Sequence, residues 1–117
     1  MTFWLISFIV ADMKATSLIK QVNRIIKSRF TDFKGTYFFG SRSRGSRAED
    51  SDYDLLLTFD HKLDWKEKNQ IYDIIAEIEL KENVVIDIKA YQESELRNRW
   101  TPFREMIMKE GIFYGAT

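Results

Sequence analysis

The sequence is informative first for what it lacks. It has no cysteine among 117 residues, so disulfides and thiolate metal sites are excluded. Its 18 basic and 18 acidic residues cancel, so no global charge attracts nucleic acid or an anionic membrane, and such a partner would need a local patch. It has no internal repeat, low-complexity tract or linker. The absence of cysteine suits a reducing cytoplasm, which is the location we expect.

Long hydrophobic runs are also lacking. The apolar stretch over residues 3–11 is shorter than the ~20 residues that a membrane-spanning helix needs, and it lacks the basic start and cleavage site of a secretory signal. Met13-Lys14-Ala15 reads like an ordinary start, so we predict that residues 1–12 are a non-native extension. An extra edge strand or a packing arm is the alternative. The remaining residues, 13–117, fit one globular domain.

Hydrophobic periodicity and turn signals predict the order helix, strand, strand, helix, strand, helix. The first predicted helix covers residues 15–29 and is capped by Thr16 or Ser17, and a second, long helix follows Asp64 with a buried stripe of Ile71, Ile74, Ile75 and Ile78. Strands are predicted over 36–39, Tyr53–Phe59 and 84–90. Short helices over 94–99 and from Pro102 to Gly111, and an edge strand over 112–114, complete the chain. This order predicts an α+β fold: a small mixed sheet of three to four strands with helices packed mainly on one side.

A pair of aspartates, Asp52 and Asp54, begins the second predicted strand. Side chains alternate along a strand, so both carboxylates point the same way, ~7 Å apart along the backbone. They repel each other unless a cation lies between them. Hard oxygen ligands of this kind suit Mg²⁺, which typically takes one or two carboxylates together with substrate phosphates. A pair of solvated acids at a strand end is the alternative.

A glycine–serine turn, Gly40-Ser41, ends the preceding strand ten residues before the aspartate pair. Glycine lets the backbone approach a ligand, and exposed N–H groups at such a turn can bind phosphate oxygens, with the serine hydroxyl as a further donor. The same pair is also simply a good way to end a strand. Arg42 could bind a phosphate through its planar fork, contact a partner protein, or offset nearby acids.

A third carboxylate, Asp87, lies in the otherwise apolar stretch VVIDIKA. A charged residue there is costly unless it is paired or binds a metal. An ion pair with a basic residue such as Lys89, or a solvent-facing position, is the alternative. His61 is interpreted as a solvated surface residue. Trp65 and Trp100 are interpreted as core or rim aromatics.

Together, Gly40-Ser41, ten residues, and Asp52-Tyr53-Asp54 resemble the signature of the minimal nucleotidyltransferases, small members of the DNA polymerase β-like nucleotidyltransferase superfamily. The wider pattern GSRSRG…SDYDLLL and the strand aspartate Asp87 are similar to theirs as well. The resemblance runs from about residue 15 to residue 114 and implies the nucleotidyltransferase fold.

The resemblance also implies a mechanism. A hydroxyl attacks the α-phosphorus of ATP in line, AMP is transferred, and pyrophosphate leaves; two metal ions stabilise the attacking and leaving oxygens. The implied site residues are Asp52, Asp54 and Asp87 for catalysis and for two Mg²⁺ ions, and Gly40, Ser41 and Arg42 for the nucleotide. No role is implied for Arg44 or Arg47.

Members of this family are often encoded beside a small helical HEPN protein, which they neutralise as antitoxins by adding AMP to a tyrosine. The HEPN signature, R-x(4–6)-H, is absent here because no arginine stands at residues 54–56, ahead of His61. A toxin partner would therefore be a separate chain.

Only residues 91–117 follow the third predicted strand, so a partner or a second copy would have to supply the acceptor site. An apolar patch for that contact could include Trp100, Phe103, Phe113 and Tyr114. Two alternatives stay open: a catalytically silent antitoxin that acts by binding, and a nucleotidyltransferase for a small molecule or an RNA end. Zero net charge and the lack of a basic stripe count against RNA.

Overall fold

The computed structural model describes the backbone of residues 3–40, 52–98 and 100–116, and side chains within these ranges from residue 13 onward. Four helices and four strands lie in these ranges. Their bounds are Phe3–Arg29 (α1), Phe33–Phe39 (β1), Tyr53–Phe59 (β2), Trp65–Glu82 (α2), Ile86–Gln92 (β3), Glu93–Asn98 (α3), Pro102–Glu110 (α4) and Ile112–Gly115 (β4). None of the helices in the described ranges is long and apolar enough to cross a membrane.

The strands form one mixed sheet in the order β3-β2-β1-β4. β1 pairs antiparallel with both β2 and β4, whereas β2 and β3 pair in parallel. A parallel pair cannot be joined by a tight turn and needs a crossover, and α2 provides it. The predicted α+β fold with a small mixed sheet is confirmed.

Both faces of the sheet are covered. The long helices α1 and α2 pack on one face, against the side of β2 that carries Leu55 and Leu57. The opposite face, here called the α4 face, carries Phe39 and Leu56 and packs against Leu96 of α3 and Ile107 of α4. Because β2 is buried from both sides, its sequence after Asp54 is apolar except for Thr58. The two long helices lie on one side, as predicted.

Helix α1 begins earlier than the sequence predicts. It runs from Phe3, so the alternative of an edge strand over residues 3–11 is wrong. The predicted caps are wrong as well, since Thr16 and Ser17 lie inside the helix. The Thr16 hydroxyl instead lies 3.3 Å from the Tyr114 hydroxyl of β4. That residues 1–12 are a non-native extension stays a prediction.

A buried polar network fixes α1 against the sheet. Asn23 is 6% exposed, and its amide donates to the backbone carbonyls of Tyr114 and Gly115, at 3.0 and 3.3 Å. Thr36 of β1 is fully buried and donates to the Asn23 Oδ1 atom at 2.6 Å. Every member is satisfied, so the network fixes the position of α1 relative to β1 and β4 without leaving a buried polar atom unpaired.

Helix α2 matches its prediction closely. Asp64 is its N-cap and forms a capping box with Glu67, and the four predicted isoleucines are its buried residues. The next strand begins two residues later than expected. Asn83 ends the helix in the left-handed conformation, and the Val84 N–H still donates to the Glu79 carbonyl at 3.2 Å. Residue 84 is therefore bonded to the helix end, whereas the Val85 carbonyl already accepts a hydrogen bond from the Tyr53 N–H of β2 at 2.9 Å, just before β3 begins. Strand β1 begins earlier than predicted, at Phe33 instead of residue 36, and so includes part of the predicted loop.

His61 is not the unpaired surface residue that the sequence predicts. Its Nδ1 atom contacts the Asp32 carboxylate, and its Nε2 atom lies 2.7 Å from Glu67 Oε2. Hydrogen bonds to Asp32 and Glu67 raise the pKa of His61 above its ordinary value of 6.5, although partial burial opposes the shift. The imidazole thus joins the loop before β1 to the first turn of α2.

This contact predicts a pH-dependent contribution to stability. A histidine with a raised folded-state pKa stabilises the protein fully below its unfolded value of 6.5, and the contribution is lost as pH rises through the folded-state value. We expect His61→Gln to lower the melting temperature at about pH 6 and to have little effect at about pH 9. The loss should not exceed about 1 kcal/mol, because the ring is partly exposed and screened. Equal losses at both pH values would contradict this role.

Candidate active site

The register of the sheet brings two of the predicted carboxylates together. Asp54 of β2 is the direct partner of Asp87 on the parallel strand β3. Residues in register on neighbouring strands project from the same face, and alternation along β2 places Asp54 on the same side as Leu56. Both carboxylates therefore lie on the α4 face. Asp52, immediately before β2 and exposed, is two residues from Asp54 along the chain.

Gly40 lies directly against the Asp54 carboxylate. The pairing of β1 with β2 sets Phe39 opposite Asp54, so the chain leaves β1 at that aspartate. Gly40 has a φ of +85°, and a Cβ added there would lie 2.1 Å from Asp54 Oδ2. Two separate constraints thus favour glycine, one from backbone conformation and one from space. Gly40, the first residue of the predicted turn, therefore lies beside the Asp54 carboxylate, where any side chain would collide with it.

The other two carboxylates are close enough to affect the ionisation of Asp54. Burial raises the pKa of Asp54 above its ordinary value of 3.8, and the negative charges of Asp87 and Asp52 raise it further. The positive charge of Lys89 opposes these effects. The three acids therefore form one electrostatic group around Asp54, in which a bound cation would relieve the repulsion.

Of the two alternatives for Asp87, the structure contradicts the ion pair and agrees with a solvent-facing position. Among the described residues no ion pair joins Asp87 to Lys89 or to another base, and Asp87 is exposed. Lys89 instead lies over the ring of Phe103 in α4, 5.9 Å from its centroid. Lys89 therefore belongs to this site, although the sequence suggested it only as a salt-bridge partner of Asp87. Its position two residues after Asp87, on the same side of the strand, was the signal that could have identified it.

The carboxylates fit a divalent cation in part. Within residues 3–40, 52–98 and 100–116, no three acidic, histidine or cysteine side chains are positioned to hold one metal ion together. Mg²⁺ seldom needs such a set, because it keeps waters and takes one or two carboxylates with substrate phosphates. The neighbouring Asp54 and Asp87, with the raised pKa of Asp54 and the close Gly40 turn, supply that smaller requirement.

Two predicted nucleotide-binding residues, Ser41 and Arg42, lie outside the part of the chain that the structure describes. Arg44 and Arg47, for which no role is predicted, lie outside it as well. The predicted phosphate-binding turn is thus placed through Gly40 alone. The predicted roles of Ser41 and Arg42 stay predictions.

The four residues of the predicted apolar patch differ in their exposure and contacts. Trp100 and Phe113 are exposed, at 65% and 48%. Phe103 is half-buried and packs edge-on against Phe39, with ring centroids 5.6 Å apart. Tyr114 is turned toward α1, where its hydroxyl meets Thr16. Trp65 is 70% exposed, which makes it a surface residue rather than a core one.

Comparison with known proteins identifies the family of the chain. A family model described as polymerase β, nucleotidyltransferase matches residues 20–112. The chain therefore belongs to the polymerase β-like nucleotidyltransferase family. No curated protein matches the sequence significantly.

Solved structures share the fold at low sequence identity. A Sulfolobus solfataricus protein, provisionally assigned as a nucleotidyltransferase, is 20% identical with a TM-score of 0.62, over 92% of this chain and 86% of that one. A toxin–antitoxin structure with AMP-PNP is 23% identical with a TM-score of 0.53, over 79% of this chain and 70% of that one. A mutant of the toxin–antitoxin MntA-HpeT has the same TM-score and coverage at 20% identity.

Proposed function

We propose that this protein is a Mg²⁺-dependent nucleotidyltransferase that transfers AMP from ATP to a hydroxyl group. The acceptor is a tyrosine of a separate HEPN-type toxin, and the protein acts as its antitoxin. The observation that carries the proposal is the in-register pair of Asp54 and Asp87 on the α4 face, with Gly40 against Asp54. Membership of the nucleotidyltransferase family supports the reaction class.

The proposed site divides the work between two groups. Asp52, Asp54 and Asp87 would hold Mg²⁺, which when bound would neutralise phosphate charge and favour ionisation of the acceptor hydroxyl. Gly40 allows the triphosphate to approach the backbone closely, and Ser41 and Arg42 would donate hydrogen bonds to it. The acceptor oxygen forms a bond to the α-phosphorus. The bond between the α-phosphorus and the oxygen that bridges it to the β-phosphorus breaks, and pyrophosphate leaves with that oxygen. The acceptor's proton is released to solvent. The protein contributes positioning and charge.

The antitoxin role is supported by structural likeness. Two of the similar structures are toxin–antitoxin complexes, one of them with AMP-PNP. The exposed Trp100 and Phe113 give this chain apolar surface for a partner protein. A catalytically silent antitoxin that acts by binding would use the same surface, so the two functions have to be separated by experiment.

The test uses radiolabelled ATP. The purified protein is incubated with α-labelled ATP, Mg²⁺ and the protein encoded beside it, and the reaction is repeated with Asp52→Asn/Asp54→Asn. We expect label on the neighbouring protein, its loss in the double variant, and its loss with EDTA. If the double variant protects cells from the toxin as well as the wild type does, without labelling, binding alone is the function. Label on RNA or on a small molecule instead would replace the proposed acceptor.

A further inference from the structure

We propose that Lys89 contacts the nucleotide directly and donates a charge-assisted hydrogen bond to a phosphate oxygen. This inference rests on the proposed function, because it assigns a substrate contact at the same site. The sequence pattern defines the site by its aspartates and by the turn at Gly40. Lys89 would add a basic residue of the sheet to it.

The position of Lys89 is fixed by the sheet. It lies opposite Leu56 in the parallel register, one step further along the α4 face than the pair of Asp54 and Asp87. Its ammonium is therefore next to the carboxylates and on their side of the sheet. A triphosphate that approached the carboxylates from the Gly40 turn would bring a strongly negative group beside this cation.

The side chain is also supported. The Phe103 ring lies under the ammonium, at 5.9 Å. That ring is itself held between Phe39, with centroids 5.6 Å apart, and Tyr91, at 6.3 Å. A long flexible side chain usually loses conformational freedom on binding, and this aromatic support reduces that loss. Phe39 immediately precedes Gly40, so the same packing positions the turn and the lysine.

Within the described part of the chain, Lys89 forms no ion pair. Among the described residues no carboxylate lies within salt-bridge distance of it. An ammonium is a compact charge with three donors and no acceptor, which suits phosphate oxygens. The Lys89 side chain is exposed, so solvent and ligands can reach it. The residue also borders a cavity of about 400 Å³ between α2 and the outer edge of β3.

A matched control is present at the same cavity. Lys68 lines it too, but it belongs to α2, which packs on the opposite face of the sheet from the carboxylates. Lys68→Met removes the same charge from another residue of this cavity, on the opposite face of the sheet from the proposed phosphate contact. It therefore separates a specific contact from the general electrostatic field of the cavity.

The experiment measures the affinity of the full-length protein for AMP-PNP with Mg²⁺ by calorimetry. We expect Lys89→Met to weaken binding roughly 10- to 100-fold, the loss of one charge-assisted hydrogen bond. Lys89→Arg should restore binding to within about 5-fold of the wild type, since the charge is kept, and Lys68→Met should change it less than about 3-fold. Melting temperatures verify that each variant is folded.

Three results would overturn the inference. The first is wild-type affinity in Lys89→Met. The second is an equal loss in Lys68→Met, which would make the effect one of general charge. The third is weaker binding of Mg²⁺ alone by Lys89→Met, which would mean that the lysine acts through the carboxylates. A wild-type protein that binds no AMP-PNP at all would instead refute the proposed function, and this contact with it.

Discussion

Replacing Asp54 by asparagine is expected to reduce AMP transfer by roughly 10³-fold while making the folded protein more stable. Asparagine keeps the size of the side chain but removes the charge that would bind Mg²⁺ between β2 and β3. The label transferred from ATP to the partner protein measures the loss. Asp73→Asn, which removes an exposed carboxylate from α2, is the matched control and should keep full transfer.

The gain in stability follows from the direction of the pKa shift. Burial and the charges of Asp87 and Asp52 raise the pKa of Asp54 above 3.8, so ionising it costs more in the folded chain than in the unfolded one. The contribution of Asp54 to stability is therefore most favourable below pH 3.8 and is lost as pH rises through its folded-state pKa. At neutral pH the wild type carries this cost and Asp54→Asn does not.

Magnesium provides a second comparison for the same variant. Binding of Mg²⁺ to the folded state should raise the melting temperature of the wild type, and the increase should be smaller in Asp54→Asn. A variant that retains the full Mg²⁺ effect, or that loses stability at neutral pH, would show that Asp54 is not the centre of a cation site.

Gly40→Ala is expected to have an effect almost as large, through geometry instead of charge. The positive φ at this position costs an alanine about 1–2 kcal/mol. The added methyl would also overlap Asp54 Oδ2, so the carboxylate has to leave its position. We expect transfer to fall at least ~100-fold in protein that is still folded, because a misplaced metal ligand loses several kcal/mol of transition-state stabilisation.

Two other glycines serve as controls for this result. Gly115→Ala should be harmless, since its nearest neighbour would be 3.8 Å away. Gly35→Ala should destabilise the protein, because Gly35 has a φ of +148° and its methyl would lie 2.4 Å from the Tyr114 carbonyl oxygen. Gly35 is at the opposite end of β1 from the carboxylates, so its folded fraction should retain transfer. If Gly35→Ala loses as much activity per folded molecule as Gly40→Ala, the loss at Gly40 is not specific to the carboxylate site.

The site could be predicted from the sequence to the extent that its parts are local. Asp52, Asp54 and Gly40 lie at strand ends that hydrophobic patterns identify, and β2 has the predicted bounds. Asp87 was recognisable as a charge in an apolar strand, although β3 begins later than predicted because Asn83 and Val84 complete the end of α2. These features depend on residues that are neighbours along the chain.

Other features could not be predicted because they join distant parts of the chain. The contacts of His61 depend on Asp32, which only the pairing of β1 with β2 brings close. The polar network of Asn23 requires β4 to lie beside β1. Lys89 meets Phe103 only because α4 packs back across the sheet.

The sequence by itself determined the kind of elements, the capping box at Asp64, and the spacing of Gly40 and the aspartate pair. These are set by backbone preference and by the periodicity of burial, which act over a few residues. Only the tertiary structure decided that Asp54 faces Asp87, that Gly40 touches Asp54, and that Lys89 joins them. Strand register depends on the crossover through α2 and on packing from both faces of the sheet, and no short segment of the chain encodes it.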